Sequence, residues 1–225
     1  MDGFHTEQSQ VLMACKIFQN QGLFDGFGHV TMRLPGDRVL STPKMPPGKV
    51  TMRDFIVVNL AGEKLDGLGE VNGETPMHTA IYRARPDVNC ILHYHPDELI
   101  AVSVSGQTIK VVGNCGAWFY QGTPLYDSPV LITNDELGDK VADTLGDRTA
   151  LLLRGHGATV VADDIEELIK LGINLVKTAR IQMMASALGD PRAHSEEEAR
   201  SIVEGERRSG VIRRFVDYYL SETVD

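Results

Sequence analysis

Two histidines separated by one residue, His93-Tyr94-His95, carry the strongest chemical signal in the chain. A third, His156, stands between glycines in Arg154-Gly155-His156-Gly157. Side chains at i and i+2 of a β-strand leave the same face. A strand over 89–94 therefore projects His93 and His95 side by side, as a divalent metal needs. A third ligand from a distant segment, with one position left open, is the design of catalytic rather than structural zinc-type sites. An isolated histidine is more often a packed or solvated side chain. His156 raises the pair above that level: it follows the apolar run 150–153, which reads as the end of a buried strand, on a turn whose glycines let it swing into a cleft. Glu74 stands at the expected start of a helix, with Thr75 as N-cap and Pro76 in the first helical position. The helix dipole favours a carboxylate there.

The elements that must position these groups alternate between helix and strand. An amphipathic helix is expected over 6–21, with Val11, Leu12, Cys15 and Phe18 on one face. A glycine turn at 26–28 leads into a strand, and Pro35-Gly36-Asp37 folds it back into a hairpin with 38–41. The proline-rich stretch 42–49 can only be a loop. A short strand over 55–59 and a glycine-rich loop over 66–73 precede the helix 76–85, whose buried stripe is Met77, Ala80, Ile81 and Ala84. His78 falls off that stripe and reads as a surface residue or one lying behind the site. Further strands are expected from 111, over 129–132, 150–153 and 159–162. Helices are expected from 96 to 104 and from Thr133 or Asn134 to 145. The longest helix runs from Asp163 or Asp164 to about 188, with Ile165, Leu168, Gly172, Leu175, Val176, Ala179 and Met183 on one face. Ser195 and Glu198 form a capping box for one last charged helix running toward Phe215 and Tyr219. Trp118, Phe119 and Tyr120 form an aromatic cluster in a loop, most simply a packing feature. Strands outnumber β-α-β crossovers, so the expected fold is a single α/β domain over 1–225 with an antiparallel or mixed sheet.

Composition narrows the function classes. The chain has 225 residues, 42% of them hydrophobic, and a net charge of −9. The charge argues against a nucleic-acid surface, and no apolar run reaches membrane-spanning length. The start MDGFHTEQSQ is polar and acidic, unlike a signal peptide. Three scattered cysteines imply a reducing compartment, so a cytoplasmic protein is expected.

Taken together, Glu74, His93-Tyr94-His95, Gly155-His156-Gly157, the Gly28 turn and the helix reading Ile81-Tyr82-Arg83-Ala84-Arg85-Pro86-Asp87 resemble the class II aldolase/adducin family over nearly the whole chain. The resemblance implies an α-β-α fold around an antiparallel sheet. It implies one divalent metal per subunit on His93, His95 and His156, with zinc or manganese favoured and iron, cobalt and magnesium open. Glu74 would be an acid/base beside the metal. Homotetramers with sites near subunit interfaces are implied as well, a neighbouring subunit lending an aromatic residue such as Tyr120 or Tyr218.

One departure is informative. Sugar-phosphate aldolases of the family carry Ser-Gly-Asn at the first glycine turn and Ser-Ser before the glutamate, groups that bind phosphate. Here the turns read Phe27-Gly28-His29 and Asn72-Gly73. The Gly28-His29-Val30 turn resembles a branch of decarboxylases acting on hydroxylated aromatic or pyridine carboxylic acids. His29 would then line the pocket as proton donor or carboxylate partner, and Lys44 would meet a second carboxylate; the plainer readings are a turn cap for His29 and a solvated Lys44. The expected activity is metal-dependent C–C cleavage with an enolate stabilised by a Lewis acid. An aldolase or epimerase on a sugar-like hydroxyketone is the alternative. A three-histidine non-haem iron oxygenase and a non-catalytic adducin-like protein rank lower.

Overall fold

In the computed structural model residues 3–223 are described. The chain runs α1 (His5–Asn20), β1 (His29–Leu34), β2 (Arg38–Ser41), β3 (Ile56–Asn59), β4 (Lys64–Asp66), α2 (Thr75–Ala84), β5 (Cys90–Tyr94) and α3 (Asp97–Val104). It continues β6 (Leu125–Tyr126), α4 (Asp135–Leu145), β7 (Ala150–Leu153), β8 (Gly157–Ala162), α5 (Ile165–Ser186), α6 (Glu196–Arg208) and α7 (Val211–Ser221). All strands join one sheet in the order β4-β3-β2-β1-β5-β8-β7-β6. Every pairing is antiparallel except β6 with β7. The expected α/β fold with a mainly antiparallel sheet is what the chain adopts.

Period-two alternation sorts the strands into two faces. Val30, Met32, Cys90, Leu92, Tyr94, Ala158 and Val160 pack with α1, α3, α5 and Val216 of α7. Ile91, Leu151, Leu153 and Val161 pack with α2 and α4. Full burial of a side chain such as Phe18, Leu92 or Ile81 stabilises by roughly 1.5–3 kcal/mol. On β5, α5 comes so close at Gly172 that a Cβ there would meet Leu92 at 2.7 Å and Phe18 at 2.9 Å. On the α2 face the alternation leaves His29, Thr31, His93 and Thr159, all buried, in place of aliphatic residues. Arg33 anchors the far end of α2: its guanidinium donates to the carbonyls of Tyr82 (2.8 Å), Arg85 (3.1 Å) and Val88 (2.9 Å).

Several local expectations change. Glu74, not Thr75, is the N-cap residue of α2, and its side chain makes no capping bond because it turns into the site. Ala84 and Met183 are exposed although their helical spacing placed them on buried stripes. His78 is no surface residue; it is 1% exposed. The segments at 111–112 and 129–132 form no strand, and β4 and the two-residue β6 occupy the sheet edges instead. The last helix breaks into α6 and α7 at Gly210, which adopts φ +67°. Asn134 and Asp164 are the caps chosen from their pairs, and the Ser195–Glu198 capping box forms. Cys15, Cys90 and Cys115 are free. Among the described residues, no helix is long and apolar enough to cross a membrane.

Candidate metal centre and its cleft

The three central strands deliver the site. His93 is near the end of β5, and His95 lies just past it. On one side β1 pairs with β5 in a register that sets His29 opposite His93. On the other, β8 pairs with β5, and the turn entering β8 carries His156. Glu74 enters from the start of α2. One ligand atom from each of Glu74, His93, His95 and His156 lies within 4.8 Å of all the others. Glu74 Oε2 is 3.5 Å from His93 Nε2, 3.6 Å from His156 Nε2 and 3.8 Å from His29 Nε2. His93 Nε2 and His95 Nε2 are 3.0 Å apart.

Two backbone contacts fix this cluster. Glu74 Oε1 accepts from the Ile132 N–H at 3.2 Å, so the segment at 129–132 serves the site although it is not a strand. His93 Nδ1 lies 3.0 Å from the Ala158 carbonyl. A carbonyl only accepts, so Nδ1 carries the proton and a neutral His93 turns a bare Nε2 into the cluster. Gly28 lets the strands close up: at φ +101°, a Cβ would meet the His93 carbonyl at 2.8 Å.

The donor set suits a cation. His93 Nε2 is a lone pair that faces a carboxylate oxygen and another imidazole nitrogen. Burial drives the His93 imidazole down to about 4. Burial, with the neighbouring His93 and His156, does the same to His95. Neither is therefore protonated near neutrality. Burial also opposes ionisation of Glu74, but hydrogen bonds from His156 and His29 outweigh it and hold its carboxyl well below the usual range. Two acceptors, the Glu74 carboxylate and the bare His93 Nε2, face each other with neutral imidazoles converging on them, a donor set that a metal ion satisfies. Behind His95, Asp25 Oδ1 stands 3.8 Å from Nδ1, a carboxylate on the ring nitrogen facing away from the cluster.

Above the cluster lies a cleft of about 950 Å³. Phe27, Met45, Pro46, Pro129 and Leu131 give it apolar walls, and Gly28, His29 and Lys44 also line it. Lys44 Nζ is paired with Glu70 at 3.7 Å on the rim. Tyr120 does not line the cleft of its own chain; Arg200 stacks over its ring at 5.0 Å. Tyr218 sits exposed on α7. Sequence reasoning missed Asp25, the Ile132 amide and the buried pairing of His29 with His78, whose ring nitrogens are 2.7 Å apart. The first two had no signal. The third had one: His29 and Thr31 share a strand face, and His78 and Tyr82 share a helix face.

A 3,4-dihydroxyphthalate decarboxylase of Arthrobacter keyseri is 29% identical over 196 residues, spanning 80% of this chain and 78% of that protein. A second, from Terrabacter sp. (strain DBF63), is 29% identical over 208 residues, spanning 85% and 86%. Among solved structures, the L-fuculose 1-phosphate aldolase from Glaciozyma antarctica PI12 superposes with a TM-score of 0.82 at 24% identity, over 95% of this chain and 86% of that one, a likeness of fold. Residues 9–183, which include Glu74, His93, His95 and His156, match the sequence profile of the Class II Aldolase and Adducin N-terminal domain. By that match the chain belongs to the class II aldolase/adducin family.

Proposed function

We propose that this protein is a divalent-metal-dependent carbon–carbon lyase that decarboxylates a hydroxylated aromatic or pyridine carboxylate or dicarboxylate. The observation that carries this reading is the cleft. Its floor is the Glu74, His93, His95 and His156 cluster, its walls are apolar and suit a flat ring, and His29 and Lys44 offer carboxylate partners. Similarity to two dihydroxyphthalate decarboxylases supports it.

His93, His95 and His156 would hold the ion, with Glu74 beside them. When bound, the metal supplies Lewis-acid stabilisation of negative charge on a substrate oxygen. Glu74, held ionised, takes the proton of the ring hydroxyl. Glu74 then delivers that proton to the ring carbon that bears the carboxylate, while the neutral His29 holds the departing carboxylate by a hydrogen bond. Carbon dioxide leaves, and its bonding electrons pass into the ring and onto the ring oxygen. One proton from solvent restores the ring hydroxyl, so the net change is carboxylate plus proton to phenol plus carbon dioxide. Phe27, Met45 and Leu131 exclude water, which strengthens each electrostatic contact. Lys44 holds the second carboxylate of a dicarboxylate.

The whole chain acts as one domain in this reading, in the cytoplasm and as a homo-oligomer, most simply a tetramer. Phe27 and Leu131, 71% and 56% exposed, leave an apolar rim at the cleft mouth for a neighbouring subunit to cover. Tyr120 or Tyr218 of that neighbour completes the pocket. Two variants test the assignment. His93→Ala loses bound metal on elemental analysis, whereas Glu74→Gln retains metal and loses turnover. Wild-type turnover in Glu74→Gln removes the acid/base role.

A further inference from the structure

Behind His29 lies a chain of buried polar groups that reaches no solvent. His29 Nδ1 is 2.7 Å from His78 Nε2, His78 Nδ1 is 2.8 Å from Thr31 Oγ1, and Thr31 Oγ1 is 3.0 Å from the Tyr82 hydroxyl. The four residues are between 1% and 3% exposed. Each ring nitrogen of a neutral imidazole is either donor or acceptor, so one choice propagates along the whole line.

Two directions are available. In the first, Tyr82 donates to Thr31, Thr31 to His78 Nδ1, and His78 Nε2–H to His29 Nδ1. His29 then presents Nε2–H to the cleft, toward the Glu74 carboxylate at 3.8 Å. In the second, every bond reverses. Tyr82 must then donate to the Asn89 carbonyl across 3.4 Å, and that carbonyl already accepts the Arg33 N–H at 2.7 Å. His29 would also face the carboxylate with a lone pair. Both directions keep the 3.0 Å contact between Thr31 and Tyr82, so the choice falls at the cleft end, where only the first direction sets a donor against the anion.

We infer that Tyr82, Thr31 and His78 form a one-way hydrogen-bond relay that locks His29 as an Nε2–H donor aimed into the cleft, with His78 as the positioning residue. It deepens the decarboxylase reading by naming what keeps the hydrogen-bond donor to the departing carboxylate in its donating tautomer. No charge is moved; the relay sets which nitrogen carries the hydrogen. Thr31 and Tyr82 act at second and third hand.

The test reads the tautomer without substrate. Zinc-loaded protein with ring-¹⁵N histidine is compared by two-bond ¹H–¹⁵N correlation spectra for wild type, Thr31→Val and Tyr82→Phe, with His29→Gln and His78→Gln for assignment. The expected wild-type pattern is a bare Nδ1 and protonated Nε2 on both His29 and His78. Thr31→Val keeps the β-branched shape and removes the hydroxyl, so the Nδ1–H form of His29 should appear. An Nδ1–H tautomer of His29 in wild type overturns the relay. So does an unchanged His29 pattern in Thr31→Val, which would leave Glu74 alone in control. Kinetics add a second readout. A hydrogen bond to a charged group contributes roughly tenfold or more, so His78→Leu should lower kcat/KM at least about tenfold. His78→Gln, which keeps an N–H for His29 Nδ1, should recover much of it; equal losses in the two variants would reduce His78 to a packing role. The expected tautomers together with no turnover of any aromatic acid would retain the relay and reject the decarboxylase.

Discussion

His93 has no exposed surface, and burial lowers its imidazole from 6.5 to about 4. An unfolded chain regains the ordinary value. Between these two values the unfolded state binds a proton that the folded state refuses, so stability falls as pH falls. The contribution is complete above pH 6.5 and is lost by about pH 4. The full difference is roughly 3 kcal/mol at 1.36 kcal/mol per pH unit. About 2 kcal/mol of that is gone by pH 5 by the same linkage. The perturbation is His93→Gln, which removes the titrating ring. The assay is urea unfolding of chelator-treated protein at pH 7 and pH 5, comparing the stability each chain loses. His29, His78 and His95 are also lowered by burial and remain in both chains, so their slopes largely cancel in the comparison. Wild type should lose about 2 kcal/mol more than the variant over that interval. Equal losses would refute the claim that His93 is held neutral, and with it the argument that it turns a bare nitrogen into the cluster.

Gly28→Ala should destabilise by about 1–3 kcal/mol, since an L-residue is strained at that backbone angle, with the contact to the His93 carbonyl adding to the loss; an unchanged melting temperature would contradict the close approach of β1 and β5. Lys44 is paired only at the exposed rim. Lys44→Ala should therefore raise KM for a dicarboxylate roughly two- to fivefold while leaving a monocarboxylate unaffected, and equal effects on both would take Lys44 out of substrate recognition.

The site was legible where spacing carries geometry. His93 and His95 declare themselves by alternation along a strand, and His156 by its glycine corner after an apolar run. Glu74 was marked by the proline that follows two residues later. The edges of the sheet were not legible. β4 has no buried residue to announce it, and β6 is two residues long. The run Pro129 to Ile132 has strand composition, yet Val130 and Leu131 are exposed and the Ile132 amide serves Glu74. His78 misled because a polar residue off an apolar stripe reads as solvent-facing, whereas the polar residues His29 and Thr31 of β1 wait opposite it. A composition rule sees one helix at a time, and this pairing needs two elements together.

The most direct measurement is product analysis. Metal-supplemented protein is incubated without oxygen with ortho-hydroxy aromatic and pyridine carboxylates and dicarboxylates, beside sugar phosphates and hydroxyketo acids, and products are identified by mass spectrometry. Carbon dioxide release from a hydroxylated aromatic or pyridine acid, abolished by chelation and by Glu74→Gln, is the predicted result. Aldehyde release from a sugar-like substrate, with the aromatic acids untouched, would contradict it and assign the same cluster to an aldolase.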